Sequence, residues 1–390
     1  MEAIEKLRLL GPAAQFEPAE DVDLLGRQSR APRTPSELTK CVSYATLPGG
    51  RRIPMLKTLV SSACEMDCRY CAFRAGRDTR RATFTPDELA ALSYRLWQQG
   101  VVKGVFLSSG LMGGGVLTQD RIIAAAELLR RKYRFPGYLH LKVMPGAERE
   151  QIAETMRWAN RVSVNLEAPN QRRLSDLAPR KDFSSALLQR LRWIHELRQA
   201  MPPGAGRRPS VTTQFVVGAA GESDVELLMT SAFLYQNLQL ARTYFSGFSP
   251  VPGTPLEDQP PIELQRERRL YQASFLLRDY GFDVEELPFT QAGNLPLNMD
   301  PKLAWAQGHL HEQPVEVNTA DRSSLLRIPG IGPKGADRIL SARRQGMLND
   351  LSHLRQLGIS VKRAAPFVLL DGHRPPRQLS LWETLEVAAA

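Results

Sequence analysis

The strongest constraint on the fold of this chain is a repeated alternation of strand and helix patterns from residue 55 to residue 280. Short apolar runs of strand type, such as residues 55–61 and 211–217, each precede a longer amphipathic segment. Parallel strands need crossover connections of this kind. Six such units predict an α/β fold with a parallel sheet that curls into an open (βα)6 barrel. A flat, doubly wound sheet has the same linear pattern, and periodicity alone does not separate the two.

The six units are read as follows. The predicted strands cover residues 55–61, 103–108, 138–143, 161–166, 211–217 and 243–248. The predicted helices cover residues 86–99, 120–132, 148–158, 184–200, 223–237 and 262–280. Thr85 is the expected N-cap of the first helix, with Pro86 in its first turn.

Size and composition fit a folded, cytoplasmic protein. The 390 residues suffice for one large domain and a smaller one. The N-terminus alternates charged with apolar residues, unlike a secretory signal, and no run of about 18 uncharged apolar residues predicts a membrane helix. The net charge of +10 favours contact with polyanions. Four cysteines in a chain of this length do not form a disulfide framework.

Three of the cysteines, Cys64, Cys68 and Cys71, fall within eight residues, just after the first predicted barrel strand. Three thiolates on one tight loop can hold three irons of an iron–sulfur cube, and the fourth iron then stays open for a ligand. The carboxyl edge of a parallel barrel is where such folds build their sites. The alternative is a structural zinc site with His140 as the fourth ligand, although zinc sites more often have two-residue gaps between cysteines.

The cysteine loop resembles the signature of the radical S-adenosylmethionine (SAM) superfamily, including the aromatic Tyr70 before the last cysteine. The resemblance implies a [4Fe–4S] cluster on Cys64, Cys68 and Cys71. It also implies bound SAM and the reductive formation of a 5′-deoxyadenosyl radical. Tyr70 and the ends of the later strands are then the expected cofactor contacts, in part with residues other than the family's usual Gly-Gly-Glu. These contacts are Ser108, Ser109 and Gly110, Ser163, Asn165 and Glu167, Gln214 and Val217, and Ser249 and Val251.

A second motif lies near the C-terminus, where Pro329-Gly330-Ile331-Gly332-Pro333-Lys334 resembles the turn of a helix–hairpin–helix DNA-binding motif. The glycines permit a tight turn, and the amides at the following helix start can bind phosphate. The motif implies DNA-backbone contacts from Gly330, Ile331, Gly332, Lys334 and Arg338. A degenerate second copy covers residues 351–370, and residues 315–378 hold 11 Lys and Arg against 5 Asp and Glu. RNA binding, or a helical protein-binding module, is the alternative.

Together the two modules resemble a DNA modification/repair radical SAM family, which is typically encoded beside a uracil-DNA-glycosylase-like partner. The resemblance implies an N-terminal lead (1–54), a radical SAM barrel (55–284), a connector (285–314) and an all-helical DNA-binding domain (315–375). It also implies partners: DNA, an electron donor such as flavodoxin or ferredoxin, and the glycosylase-like protein. The alternatives are a radical enzyme that acts on RNA or a small molecule, and a non-catalytic iron–sulfur sensor.

Cys41 is the only cysteine outside the triplet. One spare thiol cannot hold an auxiliary cluster, which argues against sulfur-insertion and methylthiolation enzymes. If the lead folds over the barrel mouth, Cys41 can donate a hydrogen atom to a substrate radical, as thiols do in radical lyases that mend DNA photolesions. The alternative is that Cys41 is a small buried hydrophobic residue at the start of the domain.

Overall fold

The computed structural model describes residues 1–13, 41–46, 52–202 and 208–376. The chain divides into two compact units, Met1–Tyr271 and Gln272–Ala390. The first unit ends at Tyr271, thirteen residues before residue 284, where the sequence predicted the end of the barrel domain. The stretch 285–314, predicted as a connector, lies entirely within the second unit.

The first unit is built on a curled, open half-barrel of seven strands in sequential order. An antiparallel strand β1 pairs with β2, and β2 to β7 are parallel neighbours, as the alternation predicted. The strands are β1 Val42–Thr46, β2 Arg52–Leu59, β3 Gly104–Ser108, β4 Tyr138–Lys142, β5 Arg161–Ser163, β6 Ser210–Val217 and β7 Arg242–Gly247. The curl decides against the flat-sheet alternative.

Helices follow the strands. They are α1 Ala3–Ala13, α2 Pro86–Gln98, α3 Gly114–Arg131, α4 Arg149–Trp158, α5 Gln171–Leu177, α6 Gln189–Ala200, α7 Asp224–Leu238 and α8 Leu264–Asp279, whose last residues belong to the second unit. Thr85 caps α2 as predicted, because its hydroxyl accepts a hydrogen bond from the Glu88 amide while the Glu88 carboxylate accepts one from the Thr85 amide. The predicted helix 184–200 instead begins as a π-helix, Phe183–Leu188, and continues as α6.

Strand β5 is three residues shorter than predicted. The Val164 amide still donates to the Thr212 carbonyl at 3.2 Å, but the Leu166 amide donates to the Thr213 hydroxyl rather than to a carbonyl oxygen. The chain then returns to the sheet at one isolated bridge, between Glu167 and Phe215. Glu167 has a φ of +66°, in the left-handed region that residues with a side chain seldom adopt.

The described part of the N-terminal lead is folded, which its polar composition did not predict. Cys41 is 3% exposed and packs against α1. Its thiol donates to the Leu7 carbonyl at 3.5 Å. A Cβ on Gly11 would lie only 2.3 Å from the Cys41 sulfur, so a glycine is needed there. This placement matches the buried-hydrophobe alternative for Cys41.

The second unit contains α9 Pro301–His309, α10 Arg322–Arg327, α11 Pro333–Ala342, α12 Leu351–Gln356 and α13 Val361–Ala364. The sequence predicted an all-helical domain here, but the unit also contains two short strands. They are β8 Val315–Glu316 and β9 Val368–Leu369, which pair in parallel. One apolar core joins these elements, and it includes Ala306 and Leu310 from the α9 region. Residues 301–310 are therefore part of this unit's core rather than a linker.

The turns of the two helix pairs in this unit share three features. Gly330 and Gly358, in the turns between the helices, have φ values of +87° and +74°. Ile331 and Ile359, the next residue in each turn, are buried in the shared core. Lys334 and Lys362 follow at equal spacing and are both exposed. The turns differ elsewhere: Gly332, which caps α11, has a ψ of 179°, whereas Ser360, which caps the shorter helix α13, has a ψ of 86°.

Lys302 of α9 hydrogen-bonds to the turn between α10 and α11. It is 8% exposed, and its ammonium donates to the Ile331 carbonyl at 2.6 Å. It also lies 4.6 Å from the centre of the Tyr280 ring. Burial, reinforced by the positive charges of Arg363 and Arg327 and opposed by Asp300, lowers the pKa of Lys302 to about 7.

We expect this lysine to give the second unit a pH-dependent stability. Between about pH 7 and the ordinary lysine value of 10.5, the unfolded chain holds a proton that the folded chain has lost, so the free energy of unfolding rises with pH. A Lys302→Met variant loses this contribution. Thermal unfolding of the full chain at pH 6.5 and pH 9 checks this: the rise in midpoint should be smaller in the variant. Equal rises in both proteins would contradict the expectation.

Candidate active site

A cavity opens at the carboxyl ends of the barrel strands, with about 1120 Å³ of empty volume, part of it open to solvent. Cys64, Cys68 and Cys71 line it, as does Tyr70. Seven other predicted cofactor contacts line the same cavity: Ser108, Ser109, Gly110, Asn165, Glu167, Gln214 and Ser249. Residues from five strand ends therefore meet where a parallel barrel is expected to carry its site.

The cysteine loop is compact and largely desolvated. Cys68 is buried, and Cys64 and Cys71 are partly exposed. The Phe73 amide donates to the Cys71 sulfur at 3.4 Å. Burial raises the pKa of Cys68 above its ordinary value and that of Cys71 to about 12. The raised pKa values keep the free Cys68 and Cys71 thiols protonated, and a metal centre that binds thiolates directly reverses that preference.

The zinc alternative required His140 as a fourth ligand. Among the residues that the structure describes, no three His, Cys, Asp or Glu side chains are grouped to hold one metal ion. His140 is not a fourth ligand: it hydrogen-bonds Ser163 at 2.9 Å, and its ring lies 4.5 Å from that of Phe106.

Gly110 explains part of the departure from the family's usual second-strand turn. Its amide donates to the Ser61 carbonyl at 2.7 Å. A Cβ at this position would lie 2.5 Å from the Ala63 carbonyl oxygen and 3.1 Å from the Cys64 Cβ. The glycine therefore lets the β3 end pack directly on the cysteine loop. The neighbouring Ser109 hydroxyl donates to the Gly110 carbonyl at 2.8 Å.

Two buried lysines in the cavity wall were not expected from the sequence. Lys181 donates to Glu167 at 3.1 Å, and both side chains are nearly inaccessible. Burial alone would lower the pKa of Lys181, but Cys68 and Glu167 outweigh it and raise that pKa. Lys142, at the end of β4, donates to the Asn165 side chain at 2.5 Å, and Asn165 donates to Gln214 at 3.3 Å. Neither lysine lies in a local sequence motif that would predict its place in the cavity wall.

Three predicted contacts do not line the cavity. Ser163 pairs with His140. Val216, rather than Val217, lines the cavity beside Gln214, because alternate residues of a strand share a face. Val251 lies beyond Ser249 and outside the lining. Cys41 does not line the cavity either, so its role as a hydrogen-atom donor stays a prediction that this placement does not support.

The comparison with known families bears on this cysteine-lined cavity. Residues 58–234, which contain the three cysteines and strands β3 to β6, match the model of the Radical SAM superfamily. This segment is a radical SAM domain. Members of the superfamily use a [4Fe–4S] cluster and S-adenosylmethionine, the two groups that the resemblance of the cysteine loop implied.

A curated relative and several solved structures are also similar to this chain. Threonylcarbamoyladenosine tRNA methylthiotransferase MtaB of Thermotoga maritima is 26% identical over 219 residues, which cover 54% of this chain and 48% of the relative. The chain thus spans about half the length of that curated relative. Similar solved structures include methylornithine synthase (PylB), with a TM-score of 0.45 at 14% identity over 56% of this chain and 60% of the other. A radical SAM methyltransferase from Sphaerobacter thermophilus has a TM-score of 0.42 at 14% identity, over 70% and 86%.

The match to the superfamily model supports a radical SAM enzyme. Within the described residues, the radical SAM domain and the second unit contain no helix with the length and apolar character that a bilayer crossing requires.

Proposed function

We propose that this protein is a radical SAM enzyme that acts on DNA, in base modification or repair. The observation that carries the enzymatic part is the single cavity in which the three cysteines meet the polar ends of the later strands. The observation that supports DNA is the second unit, where each of two turns has a glycine with positive φ and an exposed lysine four residues later.

In this proposal the protein binds and positions, and the cofactors carry the chemistry. Cys64, Cys68 and Cys71 hold the cluster, which together with SAM supplies radical chemistry. Gly110 keeps the β3 end close to the cysteine loop. The polar groups of Asn165, Glu167 and Gln214 face the space beside it and orient the polar parts of SAM.

The walls of the cavity limit access of water to the reacting groups. Leu59, Phe73, Leu111, Met144 and Phe248 line it with apolar surface. Lys142 and Lys181 are held in fixed positions by Asn165 and Glu167. Rigid, desolvated polar groups of this kind act on developing charge without having to reorganise.

RNA is the second candidate substrate. The relative that supports it acts, by its name, on a tRNA. Its methylthiotransferase reaction does not transfer easily to this chain, since Cys41 is the only cysteine outside the triplet and is buried against α1. Hairpin contacts with a phosphate backbone are compatible with either nucleic acid.

The remaining partners follow from this proposal. A low-potential donor such as flavodoxin or ferredoxin supplies the electron, and a uracil-DNA-glycosylase-like protein is the expected companion in the cell. A cytoplasmic location, as predicted from the sequence, suits all three partners.

The experiment is reductive cleavage of SAM by anaerobically reconstituted protein, with and without duplex DNA or folded RNA. We expect 5′-deoxyadenosine to form, and to form faster with DNA. No cleavage in any condition would contradict a radical SAM enzyme and favour the sensor alternative. Stimulation by RNA but not by DNA would move the proposal to the second candidate. Mass spectrometry of nucleosides from the treated DNA then identifies the product.

A further inference from the structure

The backbone around the cysteine loop converges on one side chain, that of Arg81. Its Nη1 atom donates to the Ser62 carbonyl at 2.7 Å and to the Phe73 carbonyl at 2.9 Å. Its Nη2 atom donates to the Arg74 and Arg77 carbonyls at 3.1 and 3.4 Å. Ser62 precedes the first cysteine and the other three residues follow the last, so one guanidinium ties both ends of the loop together.

The segment that carries Arg81 is itself fixed beside the loop. The Ser62 amide donates to the Ala82 carbonyl at 3.0 Å, and the Phe84 amide donates to the Val60 carbonyl at 2.9 Å. The Ser61 and Thr83 hydroxyls lie 2.8 Å apart. Arg81 therefore reaches the loop from a short antiparallel pairing that extends the end of β2, rather than from a free surface.

Arg81 also reaches a cysteine through one intermediate residue. Phe73, whose carbonyl accepts from Arg81, donates its amide to the Cys71 sulfur at 3.4 Å. The Arg81 guanidinium lies 5.6 Å from the centre of the Phe73 ring. Hydrogen bonds to cysteine sulfurs and nearby charge are among the factors that set the reduction potential of a protein-bound cluster.

We propose that Arg81 is a positioning residue for the cluster site: it fixes the spacing of Cys64 and Cys71 and orients the Phe73 amide toward the Cys71 sulfur. The inference rests on the proposed function, because it requires a cluster on these cysteines. Reduction makes a thiolate-bound cluster more negative. A fixed guanidinium and an amide aimed at a sulfur both stabilise that reduced form. Loss of Arg81 is therefore expected to make the potential more negative as well as to loosen the cluster.

The test compares Arg81→Lys and Arg81→Ala with Arg80→Ala, a control at an exposed neighbouring arginine, in the reconstituted full chain. Three properties are measured: circular dichroism, the rate of iron loss to a chelator, and the reduction potential from the electron paramagnetic resonance signal. Arg81→Lys keeps the charge but cannot serve four carbonyls in a planar fork. We expect it to fold normally and to lose iron about tenfold faster than the control. Arg81→Ala should in addition shift the potential to more negative values.

The results separate this inference from the proposed function. A wild-type protein that binds no cluster would overturn the proposed function. A wild-type protein with a cluster, and Arg81 variants that keep wild-type iron retention and potential, would overturn the role of Arg81 alone. If Arg81→Ala does not fold, Arg81→Lys decides: faster iron loss at unchanged circular dichroism supports the proposal, and retention equal to the control refutes it.

Discussion

Replacing any one of Cys64, Cys68 or Cys71 with alanine is expected to reduce both the [4Fe–4S] absorbance and the cleavage of SAM to background. Three thiolates bind three irons of the cube and leave one open. Loss of any one of them leaves a second iron without a ligand, and no other cysteine lies in the loop to replace it. The other cysteine, Cys41, packs against α1 and does not line the cavity. Iron and sulfide content, the visible spectrum and the yield of 5′-deoxyadenosine measure the effect.

Cys41→Ala is the matched control for these variants, since it removes the same atom elsewhere in the same unit. It should keep the cluster and uncoupled SAM cleavage. The fold should survive all four substitutions, because each removes one small side chain from a loop or from beside α1, and circular dichroism checks this. Full cleavage activity in any triplet variant would refute the assignment. Stoichiometric zinc without sulfide in the anaerobically purified wild type would favour the structural zinc site.

Reversing the charge of Lys334 or of Lys362 is expected to weaken duplex DNA binding by about tenfold each, as expected when a charge-assisted hydrogen bond to phosphate is lost. Both lysines are exposed, and both follow a turn glycine with positive φ by four residues. Each Lys→Glu variant should also reduce the salt dependence, by about one unit in the slope of log affinity against log salt. Binding isotherms at several salt concentrations measure both quantities.

Arg344→Glu is the control for this prediction. Arg344 is exposed just after the end of α11, the helix that begins beside Lys334, and the substitution changes the net charge equally. The helix from Lys334 to its last residue, Ala342, is roughly 12 Å long at about 1.5 Å per residue, and Arg344 follows at the far end. If Arg344→Glu weakened binding as much as the two lysine variants, the effect would come from overall charge, and the two turns would not be the contact sites. Uncoupled SAM cleavage should be unchanged in all three.

Much of the first unit could be predicted from the sequence because its signals are local. Thr85 and Glu88 form a capping box within four residues, and the cysteine spacing lies within eight. The early end of β5 could not be predicted, since it depends on the Thr213 hydroxyl, 47 residues away from Leu166. Lys181 likewise reaches Glu167 only because the chain returns to the cavity after α5.

Side-chain direction was the weak point within elements that were predicted correctly. Gln214 and Val217 are three residues apart on β6, so they cannot share a face of that strand, and Val216 lines the cavity instead. In the second unit the string Asn318-Thr319-Ala320-Asp321 predicts a helix with Asn318 as its N-cap, but Asp321 caps α10. Asn318 instead accepts from the Leu348 amide at 2.9 Å, a partner 30 residues away that no local pattern reveals.

Three glycines of the second unit allow its two helix pairs to pack closely against each other. A Cβ at Gly330 would lie 2.7 Å from the Ser360 carbonyl oxygen, in the other turn. A Cβ at Gly335 would lie 2.7 Å from the Ile359 side chain, and one at Gly358 would lie 2.8 Å from Arg338, each again across the repeat. The α10–α11 pair and the α12–α13 pair therefore pack closely against each other at these three positions. We therefore expect the two helix pairs of this unit to unfold in one cooperative step.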